Sequence, residues 1–292
     1  MSNDVKILFN NHALVGEGAL WDEAQGVLYW VDILSNKLYI YDPARGENRA
    51  FDVGQHVGTV VLRKSGGVML AVYDGFASYD LASKTLTILA DPEADLPNNR
   101  FNDGKCDPAG RFWAGTMAYT SQTTQGSLYR LDADLSVHKM LGDIAISNGI
   151  VWSSNKKTLY YIDSLAFNVR AFDYDNATGA ISHERVVIRI APELGLPDGM
   201  AIDAEDKLWV AHFGGSAVRR WNPVTGQILA TIELPAKQIT SCAFGDANLD
   251  TLYITSAANG MDAAALAKEP AAGALFSVKP GVRGVPSYRF AG

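Results

Sequence analysis

The chain has 292 residues, of which 48% are hydrophobic, and 25 Lys and Arg residues against 32 Asp and Glu residues give it a net charge of −7. That hydrophobic content is enough for a substantial core, and one all-β domain can reach this length. The negative charge argues against binding to nucleic acid and to anionic membrane surfaces.

The N-terminal residues and the two cysteines indicate where in the cell we expect the protein. Residues 1–6 are polar and lack the apolar segment of a signal peptide, and no stretch approaches 18 consecutive apolar residues. We therefore expect no membrane span and a cytoplasmic location. Cys106 and Cys242 are far apart in the sequence and form no CxxC pair, so we expect two buried free thiols.

A pattern of aromatic and β-branched residues recurs six times along the chain. Its first copy is L-Y-W-V-D at 28–32, followed by K-L-Y-I-Y-D-P at 37–43 and then Gly46. The copies lie, in chain order, at 28–46, 68–80, 112–132, 159–179, 208–226 and 252–278. Their pitch of roughly 45 residues is typical of the four-stranded blades of a β-propeller, and turn residues separate the strands.

The repeat predicts an all-β fold in which residues 1–292 form one six-bladed β-propeller with four-stranded antiparallel blades. Because ring closure needs a blade built from both ends of the chain, we expect residues 5–9 to supply an outer strand beside residues 287–290. The innermost strands of a propeller surround its axis, and here we expect them directly before each aromatic segment. The predicted innermost strands are 16–21, 58–62, 102–107, 148–152, 198–203 and 240–244.

Four of these predicted strands begin with an oxygen-bearing side chain and a glycine. Glu17, Asn148 and Asp198 each precede a glycine, and the fourth of these strands contains Asn102-Asp103-Gly104. One such pair alone is more typical of a turn, and the polar residues at 98–103 also fit a surface loop. Four pairs at the same position in their blades nevertheless favour a shared site at the axis. Glu17, Asn148 and Asp198 offer oxygen ligands with two negative charges, which suits Ca²⁺, Mg²⁺ or Mn²⁺.

Longer motifs carry a resemblance to a known family. They are G-E-G-A-L-W at 16–21, R-F-N-D-G-K-C-D-P-A-G-R-F-W-A-G-T-M at 100–117, I-S-N-G-I-V-W-S at 146–153 and P-D-G-M-A-I-D-A-E-D-K-L-W-V-A at 197–211. Over nearly its whole length the chain resembles the SMP-30/gluconolactonase/luciferin-regenerating enzyme family, and within it the regucalcin (senescence marker protein 30) branch. The resemblance implies a six-bladed propeller that hydrolyses sugar lactones to aldonic acids with one divalent metal.

The resemblance also implies roles for single residues. Glu17, Asn148 and Asp198 are implied as the metal ligands, with Ca²⁺ expected first and Mg²⁺, Mn²⁺ or Zn²⁺ as alternatives. Asp198 is implied as the catalytic acid and base as well. Arg100 and Asn102 are implied as contacts to substrate hydroxyl groups.

Residues near these motifs lead to three further predictions. In the vertebrate branch an acidic pair follows G-T-M-A and contacts the substrate, whereas Tyr119-Thr120 follow here. We expect the loop 118–125 to cover part of the pocket with Tyr119 against the sugar, and a solvated hairpin tip is the alternative. Asp103 is expected to orient Arg100 or Lys105 rather than contact the metal or the substrate directly. His212 is expected to be structural, with its hydrogen bonds satisfied, and a position facing the channel is the alternative.

Two other functions stay open at this point: a non-catalytic Ca²⁺-binding or regulatory protein, and a hydrolase of organophosphate or aryl esters on the same metal site. Arg100 and Asn102 favour a polyol substrate over an apolar ester, and regulation alone gives no reason for them. The expected partner is therefore a small-molecule sugar lactone. Monomer and dimer both remain open.

Overall fold

The computed structural model describes residues 4–120 and 124–292. These residues form six antiparallel sheets of four strands each, and the predicted six-bladed β-propeller is confirmed. In chain order the strands are β1 (Lys6–Asn10), β2 (Gly16–Asp22), β3 (Val27–Asp32), β4 (Lys37–Asp42), β5 (Glu47–Asp52), β6 (Val57–Leu62), β7 (Val68–Val72), β8 (Gly75–Asp80), β9 (Thr85–Ala90), β10 (Asn99–Cys106), β11 (Phe112–Ala118), β12 (Gly126–Leu131), β13 (Val137–Ile144), β14 (Ser147–Trp152), β15 (Thr158–Asp163), β16 (Asn168–Tyr174), β17 (Ile181–Arg189), β18 (Leu196–Ile202), β19 (Leu208–Phe213), β20 (Ala217–Trp221), β21 (Ile228–Glu233), β22 (Ile239–Gly245), β23 (Thr251–Ser256) and β24 (Ala274–Val278).

Each blade follows the order of the chain, except the last. The sheets are ordered β2-β3-β4-β5, β6-β7-β8-β9, β10-β11-β12-β13, β14-β15-β16-β17, β18-β19-β20-β21 and β1-β24-β23-β22. The helical segments of residues 4–120 and 124–292 are two 3₁₀ turns, Ser164–Ala166 and Pro192–Leu194, and one short helix, α1 (Ala263–Lys268). Among the described residues, none of the helices has the length and apolar content needed to cross a membrane.

The repeated Asp and Gly of the sequence pattern form the outer hairpin of several blades. After β4, the Asp42 carboxylate accepts the N–H of Ala44 at 2.9 Å, and Gly46 closes the turn with its N–H on the carbonyl of Asp42 at 2.8 Å. Gly46 has a φ of 67°, a conformation that glycine adopts without steric cost. The same turn recurs at 175–179 and 222–226.

The predicted innermost strands are confirmed as β2, β6, β10, β14, β18 and β22. Each is the first strand of its blade and contacts the innermost strands of both neighbouring blades around the axis. The hydrophobic core lies between blades: one cluster joins Val31 and Leu38 of the first blade to Val57 and Leu70 of the second. Both cysteines are buried and free, as predicted.

The N-terminal strand closes the ring, but its predicted partner was wrong. β1 pairs with β24, with Lys6 opposite Ser277 and Asn10 opposite Ala274, rather than with residues 287–290. β24 already occupies the position beside β23 in this sheet. The segment after β24 contains Pro280 and Pro286, which lack the N–H group needed to pair with another strand. Residues 284–291 instead cross the ends of the innermost strands, where the N–H of Phe290 binds the carbonyl of Leu62 at 2.8 Å.

Candidate metal and active site

All six innermost strands lose their regular pairing near the same point. The irregularities lie between Glu17 and Leu20, Val57 and Thr59, Phe101 and Gly104, Asn148 and Ile150, Pro197 and Met200, and Ile239 and Ser241. Such bulges leave residues unpaired and change the direction of a side chain, and they are common beside active sites. The donor–glycine pairs of the sequence are therefore bulges at the entry of the axial channel rather than turns.

Equivalent residues meet at this level of the axis. The pairing of each innermost strand with its neighbour aligns six residues, which are Glu17, Gly58, Asn102, Asn148, Asp198 and Thr240. Five of the six have an oxygen-bearing side chain, and those five are buried. The repeat thus brings oxygen donors from separate blades to one place.

Three buried carboxyl groups lie close together at the axis. Glu17 accepts the N–H of Gly18 at 2.7 Å and is within hydrogen-bonding reach of Asp198. Burial, and then the charge of Asp103, raise the pKa of Glu17 to about 8. Burial, and then the charges of Glu17 and Asp103, raise the pKa of Asp198 well above its ordinary value. The three groups therefore repel one another and favour a positive partner.

Two amides connect these carboxyl groups to the basic side of the pocket. Asn148 Oδ1 accepts from Asn102 Nδ2 at 3.0 Å, while Asn148 Nδ2 donates to Ser164 Oγ at 2.8 Å. Asn102 Nδ2 also donates to the carbonyl of Ser147 at 2.8 Å, and Asn102 Oδ1 accepts from Arg100 Nη1 at 2.8 Å. These bonds fix the orientation of the Asn148 amide, with its oxygen towards Asn102 and its nitrogen towards Ser164.

The donor set fits a hard divalent cation. In the described part of the chain, neither Glu17 nor Asp198 forms a direct ion pair with Lys or Arg. The charge of Arg100 acts on both, but the pKa values of both carboxyl groups are still raised, so the site favours a further positive charge. Two carboxylates and one amide oxygen are ligands that Ca²⁺ accepts. Within the described residues, no three His, Cys, Asp or Glu side chains form a ready metal-binding group, so Asn148 is needed to complete this set.

Arg100 and Tyr119 lie on the rim of the same site. Arg100 is buried and has no ion pair among the described residues, and its guanidinium lies 5.9 Å from the centre of the Tyr119 ring. Tyr119 is 43% exposed, and its hydroxyl lies 2.5 Å from His56 Nδ1. The ring of Tyr73 is 6.3 Å from that of Tyr119. Of the predicted covering loop, residues 121–123 lie outside the described residues.

Sequence reasoning missed His56 and Tyr73 as part of this rim. Both lie in the second blade, whose axial residue is Gly58 and which therefore showed no oxygen donor. His56 stands two residues before Gly58. Aligning the second blade with the other blades would therefore have placed His56 near the axial residues.

His212 lies outside the axial site and differs from the prediction. It is fully buried on β19, the second strand of its blade, and stacks on Trp221 with ring centres 6.1 Å apart. The ring lies near the backbone of Leu194 and Gly195, but neither ring nitrogen makes a hydrogen bond of normal geometry among the described residues, so the prediction of satisfied hydrogen bonds was wrong. Burial, and then the charge of Arg219, lower the pKa of His212 to about 3, so the ring is neutral at physiological pH.

Comparison with known proteins gives extensive matches. Residues 15–258 match the family model described as the SMP-30/Gluconolactonase/LRE-like region. Regucalcin from Gallus gallus is 44% identical over 284 residues, which cover 95% of each chain. The solved structure of a calcium-binding protein, regucalcin, from Agrobacterium tumefaciens has a TM-score of 0.93 at 30% identity, covering 99% of this chain and 97% of that one. A luciferin-regenerating enzyme has a TM-score of 0.91 at 33% identity, covering 99% of each.

Proposed function

The chain belongs to the SMP-30/gluconolactonase/LRE-like family, and from this membership we propose that it is a divalent-metal-dependent lactonase that hydrolyses aldonolactones to aldonic acids. One observation carries the proposal: Glu17, Asp198 and Asn148 are buried at equivalent positions around the axis, and the two carboxyl groups have no direct ion pair in the described chain although the charge of the buried Arg100 acts on both. A structural core has no need of such a set, because unpaired buried charges are destabilising.

The metal would be held by Glu17, Asn148 and Asp198. Ca²⁺ is the first candidate, because the A. tumefaciens relative is described as calcium-binding, and Mg²⁺, Mn²⁺ and Zn²⁺ are alternatives. A divalent cation bound there would polarise the lactone carbonyl and stabilise the negative charge that develops on its oxygen.

Asp198 is the group that moves the proton. Water attacks the carbonyl carbon, a bond forms between that carbon and the water oxygen, and a carboxylate oxygen of Asp198 takes the proton. The bond from the same carbon to the ring oxygen then breaks, and Asp198 returns the proton to that oxygen. The role is given to Asp198 because the family resemblance implies it, and because the Asp198 carboxyl group is buried within hydrogen-bonding reach of Glu17.

Arg100 and Asn102 orient the sugar. Arg100 Nη1 is committed to the carbonyl of Phe101 at 2.9 Å and to Asn102 Oδ1, so its other N–H groups are those offered to substrate hydroxyls. The amide of Asn102 already bonds Arg100, Ser147 and Asn148. Both N–H groups of Asn102 are therefore engaged, but Oδ1 accepts one hydrogen bond and has a second lone pair that could accept a substrate hydroxyl.

A lactone panel tests the function. Protein stripped of metal with a chelator is assayed for acid release on several aldonolactones after single metals are added back, with enzyme-free lactone as the control for spontaneous hydrolysis. We expect metal-restored hydrolysis of at least one polyhydroxylated lactone and little hydrolysis of aryl esters. Acid release equal to the enzyme-free rate with every metal would overturn the proposal. Metal binding without hydrolysis would support a calcium-binding role instead.

The ligand assignment has its own test. Glu17→Gln and Asn148→Ala should lose activity because metal is lost, while the protein stays folded. Metal content is measured beside the rate, and circular dichroism checks the fold. Full metal occupancy in an inactive Glu17→Gln protein would remove Glu17 from the ligand set.

A further inference from the structure

Asp103 is an exception to the repeat at the axial site. The residues that follow the six aligned axial positions are Gly18, Thr59, Asp103, Gly149, Gly199 and Ser241. In the three other blades with an acidic or amide donor the residue is glycine, and there is a steric reason. A Cβ on Gly149 would lie 2.7 Å from the Cβ of Met200, and one on Gly199 would lie 2.7 Å from Ser241 Oγ.

The Asp103 carboxylate is buried and only half satisfied. Its Oδ1 accepts the N–H of Gly104 at 2.7 Å. Its Oδ2 has no hydrogen-bond partner among the described residues, although only 4% of the residue is exposed. Lys105 is near enough to act on its charge, but the Lys105 ammonium group donates to the carbonyl of Met200 and forms no ion pair with Asp103 in the described chain. An unsatisfied buried carboxylate oxygen is costly and requires a ligand or a water.

The charge of Asp103 reaches residues of four other blades. It raises the pKa of Glu17 in the first blade, of Tyr161 in the fourth, of Asp198 in the fifth and of Cys242 in the sixth. A group that acts on all four lies near the axis. Asp103 stands one residue after the aligned axial position, and no three acidic side chains of the described residues form a group that could hold a cation directly, so Asp103 is assigned outside the direct ligand set.

We propose that Asp103 is an outer ligand of the axial cation, whose free Oδ2 accepts a hydrogen bond from a water on the cation and whose charge strengthens binding of a divalent ion. The inference rests on the metal site of the proposed function but not on the lactone reaction. Carboxylates in this position orient the inner ligands and typically change metal affinity by about 10- to 100-fold.

Calcium titration of the metal-free protein tests the role without any substrate. The variants are Asp103→Asn, which keeps an oxygen for the Gly104 N–H, and Asp103→Gly, which introduces the residue found at the equivalent position in three other blades. Isothermal titration calorimetry at one pH and ionic strength should give a Kd for Ca²⁺ about 10- to 100-fold weaker in both variants. In the presence of a chelator, the Asp103→Asn variant should unfold at the same temperature as the wild-type protein or at a higher one, because the repulsion between Asp103 and the carboxyl groups of Glu17 and Asp198 is removed.

Asp163→Asn is the matched control. Asp163 is also buried at a strand end, but its two oxygens accept the N–H groups of Ala145 and Ile146, both at 3.1 Å. This variant should lose thermal stability and keep the wild-type Kd. An unchanged Kd in both Asp103 variants overturns the inference alone. Wild-type protein that binds neither Ca²⁺, Mg²⁺ nor Mn²⁺ overturns the metal site and the inference together.

Discussion

The innermost strands differ sharply between their two ends. Where they begin, they are bulged and bring Glu17, Asn148 and Asp198 into a buried polar cluster. Where they end, the ladders are in regular register, and side chains such as Val151 and Ile202 form apolar packing. The same six strands therefore bury unfavourable charge at one end and favourable apolar surface at the other.

The C-terminal segment strengthens this contrast. It crosses the ends of the innermost strands, where Val285 and Tyr288 line a cavity together with Trp152 and Phe244. The opposite, polar end carries Tyr119, which is partly exposed. The difference fits the proposed function, in which one end of the channel stabilises the propeller and the other holds the metal and the substrate, because charged sites are usually supported elsewhere in the fold.

The largest effect is expected from Asp198→Asn at the polar end. The amide keeps an oxygen for the metal but cannot take a proton from water, so turnover should fall by about 10²- to 10⁴-fold while metal affinity falls less. Steady-state kinetics and metal titration measure the two effects separately.

Asp203→Asn is the control at the other end of the same strand. Asp203 is buried and accepts from Trp209 Nε1 at 2.9 Å and Arg220 Nε at 2.7 Å. This variant should lose stability and keep the turnover of the folded protein. Near-normal turnover in Asp198→Asn would leave Asp198 as a ligand only and would require another base.

Phe290→Ala tests the apolar end. The Phe290 side chain is fully buried, and its backbone bonds Leu62 and Lys64 at 2.8 Å each. Truncating a buried phenylalanine should lower the free energy of unfolding by about 3–5 kcal/mol, as measured by guanidinium denaturation. Turnover of the folded fraction should stay unchanged. A loss of turnover without a loss of stability would contradict the division between the two ends.

The sequence predicted the parts of this contrast that depend on local pattern. Turn residues and aromatic strands recur in order, so the six blades and the innermost strands that carry Glu17 and Asp198 followed from the repeat. The partner of β1 was wrong because the pairing of distant segments is not encoded locally. The rim around Tyr119 was incomplete because His56 comes from another blade, and its proximity arises only when the ring closes.

The bulges show a different limit. A donor–glycine pair has the same local preferences in a turn and in a bulge, so the residues themselves did not distinguish the two. The pairing of Asn148 with Ile162 and of Ile150 with Tyr161, which leaves Gly149 unpaired, is visible only in the sheet. The missing partners of the His212 ring likewise depend on three-dimensional packing.

His212 gives a test of stability away from both ends of the channel. Its pKa of about 3 in the folded protein lies below the ordinary value of 6.5, so the unfolded chain takes up the proton first as the pH falls. The stabilisation is complete above about pH 6.5 and is lost progressively towards pH 3, and between pH 7 and pH 5 the loss is about 2 kcal/mol.

His212→Phe should remove this part of the acid sensitivity while keeping a ring against Trp221. Urea denaturation of both proteins at pH 7 and pH 5 gives the difference, and contributions from the other histidines cancel. Equal losses in the two proteins would show that His212 is protonated in the folded state or titrates normally.

The smallest effect is expected at the rim, from Tyr119. Its hydroxyl bonds His56, and its ring lies beside the Arg100 guanidinium, so it is placed to contact a part of the sugar away from the reacting carbonyl. Loss of one hydrogen bond of about 1 kcal/mol changes a ratio of kcat/KM values by about fivefold. Tyr119→Ala should therefore alter the ranking among pentonolactones and hexonolactones more than the rate on the smallest one. Tyr119→Phe separates the hydroxyl from the ring, because it keeps the aromatic contact with Arg100. If Tyr119→Ala leaves the ratio of the two lactone classes at its wild-type value, the rim does not select the substrate, and the polar end acts through its buried residues alone.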